Sequence, residues 1–237
     1  MTTYSTNQPA RTDLPGPTHL DTAAQRQSRA WTLAGIGAGI AGIGTIVTSG
    51  MVNAVYDEDL AGDTPAIADK LADQTGPMFA FHTFTTVGAV LLVLFGAGLY
   101  RRMQARNTTG SALPLVAFAG LLGTAIVSIL GSGLDTEFIM GFVNDQEVDP
   151  SAAVVYNHWI GTIPWLWTLA GLSGIAVYAA GRAGGVPRWI GRVGLVLGGL
   201  TLLLGISPLQ YMAGMTGPLW LLATAVGFCI GDRAHRS

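Results

Sequence analysis

From Trp31 onward the chain repeats one pattern: a long apolar run without Asp, Glu, Lys or Arg, then a short polar connection. The runs cover residues 31–51, 78–100, 113–134, 158–180, 193–209 and 212–231. Each is close to the roughly 20 residues a helix needs to cross the hydrocarbon layer. A charge at mid-bilayer costs about 2.5–3.5 kcal/mol on insertion scales, so charge-free runs are what lipid-spanning helices require. The pattern predicts an all-α, polytopic transmembrane bundle of about six helices. Pro77, Pro114 and Pro187 fall at or just before helix starts, where a missing N–H does no harm. Pro164 falls inside the fourth run and predicts a bend that frees a carbonyl. The last two runs abut, and Pro208, Gly214, Gly217 and Pro218 are expected to divide them as a tight hairpin.

Residues 1–30 are polar and lack apolar periodicity, which predicts a disordered tail ahead of a membrane domain at 31–231 and a short terminus at 232–237. Val52-Asn53-Ala54 resembles a signal-peptide cleavage site, but the run before it is longer than a signal core, so it reads as a retained span.

Charge gives the orientation. Arg11, Arg26, Arg29, Arg101, Arg102, Arg106, Arg182, Arg188, Arg192, Arg233 and Arg236 all fall on one side of the expected bundle, and Lys70 alone falls on the other. By the positive-inside rule the arginine side, with both termini, is cytoplasmic, which places the protein in a bacterial cytoplasmic (inner) membrane. Most acids sort oppositely, into loops after the first and third runs.

Composition agrees: 50% of residues are hydrophobic and 11% charged, against roughly a quarter charged in soluble domains. The net charge of −2 gives no reason to expect a nucleic-acid partner. Cys229 is the one cysteine, so neither an internal disulfide nor a thiolate metal cluster is expected.

Glycine marks the first, third and fifth runs, with pairs such as Gly35/Gly39 and Gly194/Gly198 one turn apart. Small residues at that spacing let helix backbones approach closely in lipid, within one chain or across a homo-oligomer or membrane-protein partner. The chain also reads as three successive helical hairpins, with Pro77, Pro164 and Pro218 in comparable places.

The segment VPRWIGRVGLVLGGLTLL at 186–203 resembles a stretch found in a broad family of uncharacterised multi-span bacterial membrane proteins, where a Pro-Arg-Trp motif introduces a Gly-rich helix. GAVLLVLFGAGLYRRM at 88–103 and GPLWLLATAVGF at 217–228 are similar to the same family. The family brings no activity with it, and no functional residue is carried over.

Candidate chemistry gathers near the non-arginine border. His82, Thr85 and Thr86 share a helix face, as do His158, Thr162 and Trp165, and Asp135 closes the third run on that side. Convergence of the two faces would place the rings of His82 and His158 within about 10 Å, around one polar pocket. Three readings follow: a polar seam in a non-catalytic accessory, sensory or lipid- or small-molecule-binding protein; a haem ligated by His82 and His158; or zinc held by His82, His158 and Asp135, as in a hydrolase. No Walker motif, nucleophile elbow or mid-bilayer ionisable group occurs. A transporter of an uncharged solute stays open, as does whether the protein is an enzyme. Ile67 and Leu71 predict a short amphipathic helix on the outer membrane surface.

Overall fold

The computed structural model describes residues 30–144 and 148–234, the last three as backbone. The expected tail up to residue 29, the residues after Ala234, and Asp145, Gln146 and Glu147 lie outside the described residues. Most of the described chain is helical. Helix α1 is Ala30–Met51, α2 Thr64–Ala72, α3 Thr75–Gln104, α4 Leu113–Gly131 and α5 Asp135–Val143. Helix α6 is Pro150–Thr162, α7 Thr168–Arg182, and α8 Arg188–Val193, which runs through one π turn (Gly194–Gly198) into α9, Gly199–Ile206; α10 is Ala213–Ala234. Among the described residues there is no strand. Six segments among the described residues are long and apolar enough to cross a membrane. Each packs against the next in chain order, and α10 closes the ring against α1.

Two observations explain why lipid suits this bundle. Leu33, Ile40 and Val47, spaced two turns apart on α1, are each more than half exposed, as are Leu94 on α3 and Leu115 and Ile126 on α4. Water tolerates such continuous apolar faces poorly, whereas a bilayer demands them. Inside, glycines bring backbones into contact. A Cβ on Gly39 would stand 2.8 Å from Leu222 Cβ and 3.0 Å from its Cα. One on Gly198 would stand 2.7 Å from Gly174 Cα. The expected glycine pairs therefore join helices of this chain: α1 to α10, and α7 to the π turn.

Several boundaries differ from the hydropathy pattern. The fourth span begins at Pro150 rather than at His158, because Asp149 caps α6 by accepting a bond from the Ala152 N–H (2.9 Å). The third continues past residue 134 into α5. The last hairpin turns at residues 207–209, leaving Gly214, Gly217 and Pro218 inside the last span. The reason lies in their neighbours: Trp165 covers Gly214 and Trp167 covers Gly217, so these glycines serve close packing rather than a turn.

Two apolar cores result among the described residues. The larger fills the bundle around Phe95, Leu121, Val177 and Trp220. The smaller sits at the acidic end, where Val52, Leu71, Met78, Phe81, Ile139 and Tyr156 meet. The amphipathic helix expected near Ile67 is α2, but its apolar face packs on α6 instead of lying on a lipid surface.

Candidate functional site

The acidic end is assembled around α6. Pro164 has no N–H to offer the Ile160 carbonyl four residues back. That carbonyl is the one the sequence predicted to be freed, and the Ser49 hydroxyl of α1 donates to it at 2.8 Å. The helix breaks into a 3₁₀ turn at Ile163–Trp165 before α7 resumes. Fully buried Asn157 donates to the Val52 carbonyl (2.7 Å) and accepts from the Val55 N–H (2.8 Å). The end of α1 and the turn after it are thereby tied to α6.

On one face of α6 lies a buried carboxylate. Asp135, the first residue of α5, is wholly inaccessible. Tyr156 donates its hydroxyl to Asp135 Oδ1 at 3.1 Å, and His82 Nδ1 lies 3.2 Å from Oδ2. The Tyr156 ring stacks on Phe138 with centroids 4.2 Å apart, which aims its hydroxyl. The positive end of a helix dipole also favours negative charge where Asp135 sits. A buried carboxylate needs such partners, because without them the cost of desolvation is several kcal/mol, on the order of that for any unpaired charge. The His82 side chain is 32% exposed, so the cluster reaches its surroundings through the imidazole.

The second face of α6 borders an open cleft of about 420 Å³. Tyr56, Trp165 and Tyr211 supply aromatic walls, and Ser49, Gly50, Asn53 and Gly161 complete them. Gly161 lets the Tyr56 ring lie close: a Cβ there would meet the Tyr56 hydroxyl and push the ring aside. Partial burial first, and then the neighbouring Tyr211, raise the Tyr56 pKa above its ordinary value, so the phenol stays a protonated donor.

The residues singled out in the sequence therefore part company. His82 and Asp135 come together. Thr85 turns inward and donates to Thr45 Oγ1 at 3.2 Å. The Thr86 hydroxyl is buried with no hydrogen-bond partner among the described residues. Exposed His158 packs edge-on against Tyr56, with ring centroids 5.8 Å apart. Thr162 donates back to the His158 carbonyl at 2.7 Å, and Trp165 belongs to the cleft. His158 thus does not share the pocket of His82. It stands two positions beyond Tyr156, about 200° around the helix, so when Tyr156 faces Asp135, His158 must face away. Among the described residues no group of three or more His, Cys, Asp or Glu is placed to hold a metal ion.

Tyr156 and the role of Asn157 were missed by the sequence reading. A signal existed: a buried tyrosine seeks a partner for its hydroxyl, and Asp135 is an acid in an apolar neighbourhood that seeks donors. Compared with known proteins, the chain matches no family model, no curated protein and no solved structure.

Proposed function

We propose that this is a non-catalytic, ligand-binding component of the cytoplasmic (inner) membrane, accessory or sensory in type. Its arginine end faces the cytoplasm, and its acidic end receives a small uncharged molecule from outside. The observation that carries this reading is the cleft, about 420 Å³ in volume with no charged side chain in its lining. Ligand pockets commonly measure roughly 300–1,000 Å³ and combine apolar or aromatic walls with a few polar groups. The faces of Tyr56, Trp165 and Tyr211 suit a flat apolar body, while Ser49, Asn53 and the phenols suit an oxygen or nitrogen carried on it. Helix α6 borders the cleft through Gly161 and the buried acid through Tyr156. An occupant that shifts α6 would therefore bear on the His82–Asp135 contact, which suits a sensor.

A haem or zinc centre has less support, because His82 and His158 are engaged by different partners on different faces. Transport of a neutral solute also has less support. The small pocket inside the bundle that Thr45, Thr85 and Ser128 help to line measures only about 10 Å³, close to the space of a single water.

The test is binding of a panel of uncharged aromatic compounds (indole, phenols, naphthoquinones) to the full chain in detergent, read by tryptophan fluorescence and thermal shift. A saturable response weakened roughly tenfold or more in Tyr211→Ala and Trp165→Leu is expected. If no compound distinguishes the wild type from these variants, the cleft is not a binding site.

A further inference from the structure

The opposite end carries a second, larger groove of about 590 Å³, where α7 turns back into α8. Arg182 from the last turn of α7, with Arg188 and Arg192 one turn apart on α8, line it together with Tyr178 and Leu195. The two helices touch at its floor: a Cβ on Gly181 would stand 3.2 Å from Gly191 Cα. That contact is why guanidinium groups from both helices surround a single space. All three arginines are exposed. Among the described residues no carboxylate lies within ion-pair distance of them, in contrast to Lys70, which pairs with Asp57. Among the described residues the one side-chain hydrogen bond of this set runs from Arg182 to the Tyr178 hydroxyl, at 3.5 Å.

The surroundings identify the anion. Leu195 is 42% exposed at the groove margin, and Val196 and Leu203 continue an exposed apolar track along the span. A ligand that fits both parts carries a negative head at the membrane border and an apolar tail running down the helix. We infer that the Arg182–Arg188–Arg192 groove binds the phosphodiester headgroup of an anionic phospholipid, whose acyl chain lies over Leu195 and Val196. Guanidinium groups suit this role because their planar forks match phosphate oxygens in pairs, and basic pockets at span ends favour anionic headgroups. Free phosphate offers the same head without the tail.

The full chain in neutral-detergent micelles, incubated with dioleoylphosphatidylglycerol and examined by native mass spectrometry, separates these cases. Retention of the lipid is expected to fall roughly tenfold or more in Arg182→Gln/Arg188→Gln/Arg192→Gln. It should be unchanged in Arg101→Gln/Arg106→Gln, which removes two exposed arginines from the same end. Dioleoylphosphatidylcholine should not be retained, and millimolar inorganic phosphate should not displace phosphatidylglycerol. Equal retention by the triple variant, equal retention of phosphatidylcholine, or displacement by inorganic phosphate would each overturn the assignment. Should the triple variant fail to fold, each single Arg→Gln variant is compared with Arg→Lys at the same position. Loss with Gln and only partial recovery with Lys, which keeps the charge but not the paired fork, is expected, and equal retention by every single variant would overturn the inference.

Discussion

At the arginine end, α7 reverses into α8 within residues 183–187. Gly184 adopts φ +82° there, its N–H donates to the Gly181 carbonyl (3.3 Å), and the Gly185 N–H donates to Ala180 (2.9 Å). This paired closure ends a helix with its last carbonyls satisfied and needs no further structure. At the acidic end the connections are long and form a small apolar core of their own, threaded by the Asn157, Ser49 and Tyr156–Asp135–His82 bonds. The compact turn lets Arg182, Arg188 and Arg192 splay around an open groove, whereas a second core can bury polar groups and shape a cleft. The two ends share one set of helices and differ in how their loops satisfy backbone groups.

The variants that strain this contrast most are those that damage what both ends share. Gly198→Leu pushes a side chain into the Gly174 backbone, and Gly39→Leu pushes one into Leu222. Each is expected to cost about 1–3 kcal/mol, with both ends loosening together in hydrogen exchange. Unchanged thermal stability in both variants would mean the glycine contacts do not hold the bundle.

A narrower effect separates the ends. Asn157→Ala deletes two bonds to backbone, one buried and one partly buried, and should cost about 1–3 kcal/mol. Faster exchange is expected around residues 52–72, with protection at 180–192 unchanged. Equal loss at both ends would show that the acidic-end core is not a distinct unit.

The smallest effect is one of pH. The Lys70 side chain first, and then the Asp59 N–H, hold the Asp57 carboxyl below its usual range. A carboxyl lowered in the folded state contributes stability above its unfolded value, about 3.9, and loses it as pH falls through the lower folded value. Because the pair is solvent-accessible the contribution is slight. Below about pH 4 the wild type should lose a little stability that Asp57→Asn lacks at every pH. Parallel curves for the two would remove Asp57 from the account.

Much of this was legible in the sequence, for identifiable reasons. Charge-free runs mark spans because lipid excludes charge uniformly along them, and Pro164 announced its freed carbonyl because a missing N–H is a local fact. The start of α6 was also written locally, in Asp149-Pro150, but the polar step Tyr156-Asn157-His158 interrupts its apolar run and cut the turns before it off from the hydropathy pattern. The two His-x-x-x-Thr steps misled for a different reason. They are alike in spacing, yet rotation of each helix decides whether its histidine meets a carboxylate or the ring of Tyr56, and rotation is set by neighbours distant in the chain. Tyr156 and His158 differ by two positions and face opposite ways.

The proposed cleft must be open to an external ligand and the arginine groove to cytoplasmic lipid, so both proposals require the acidic end to face outward. Cysteines introduced at Glu58 and at Thr109, each exposed at opposite ends, in a chain with Cys229→Ser, report this directly. In intact cells an impermeant thiol reagent should label position 58 and spare position 109 until the membrane is opened. Labelling of 109 with protection of 58 would invert the molecule and contradict the account.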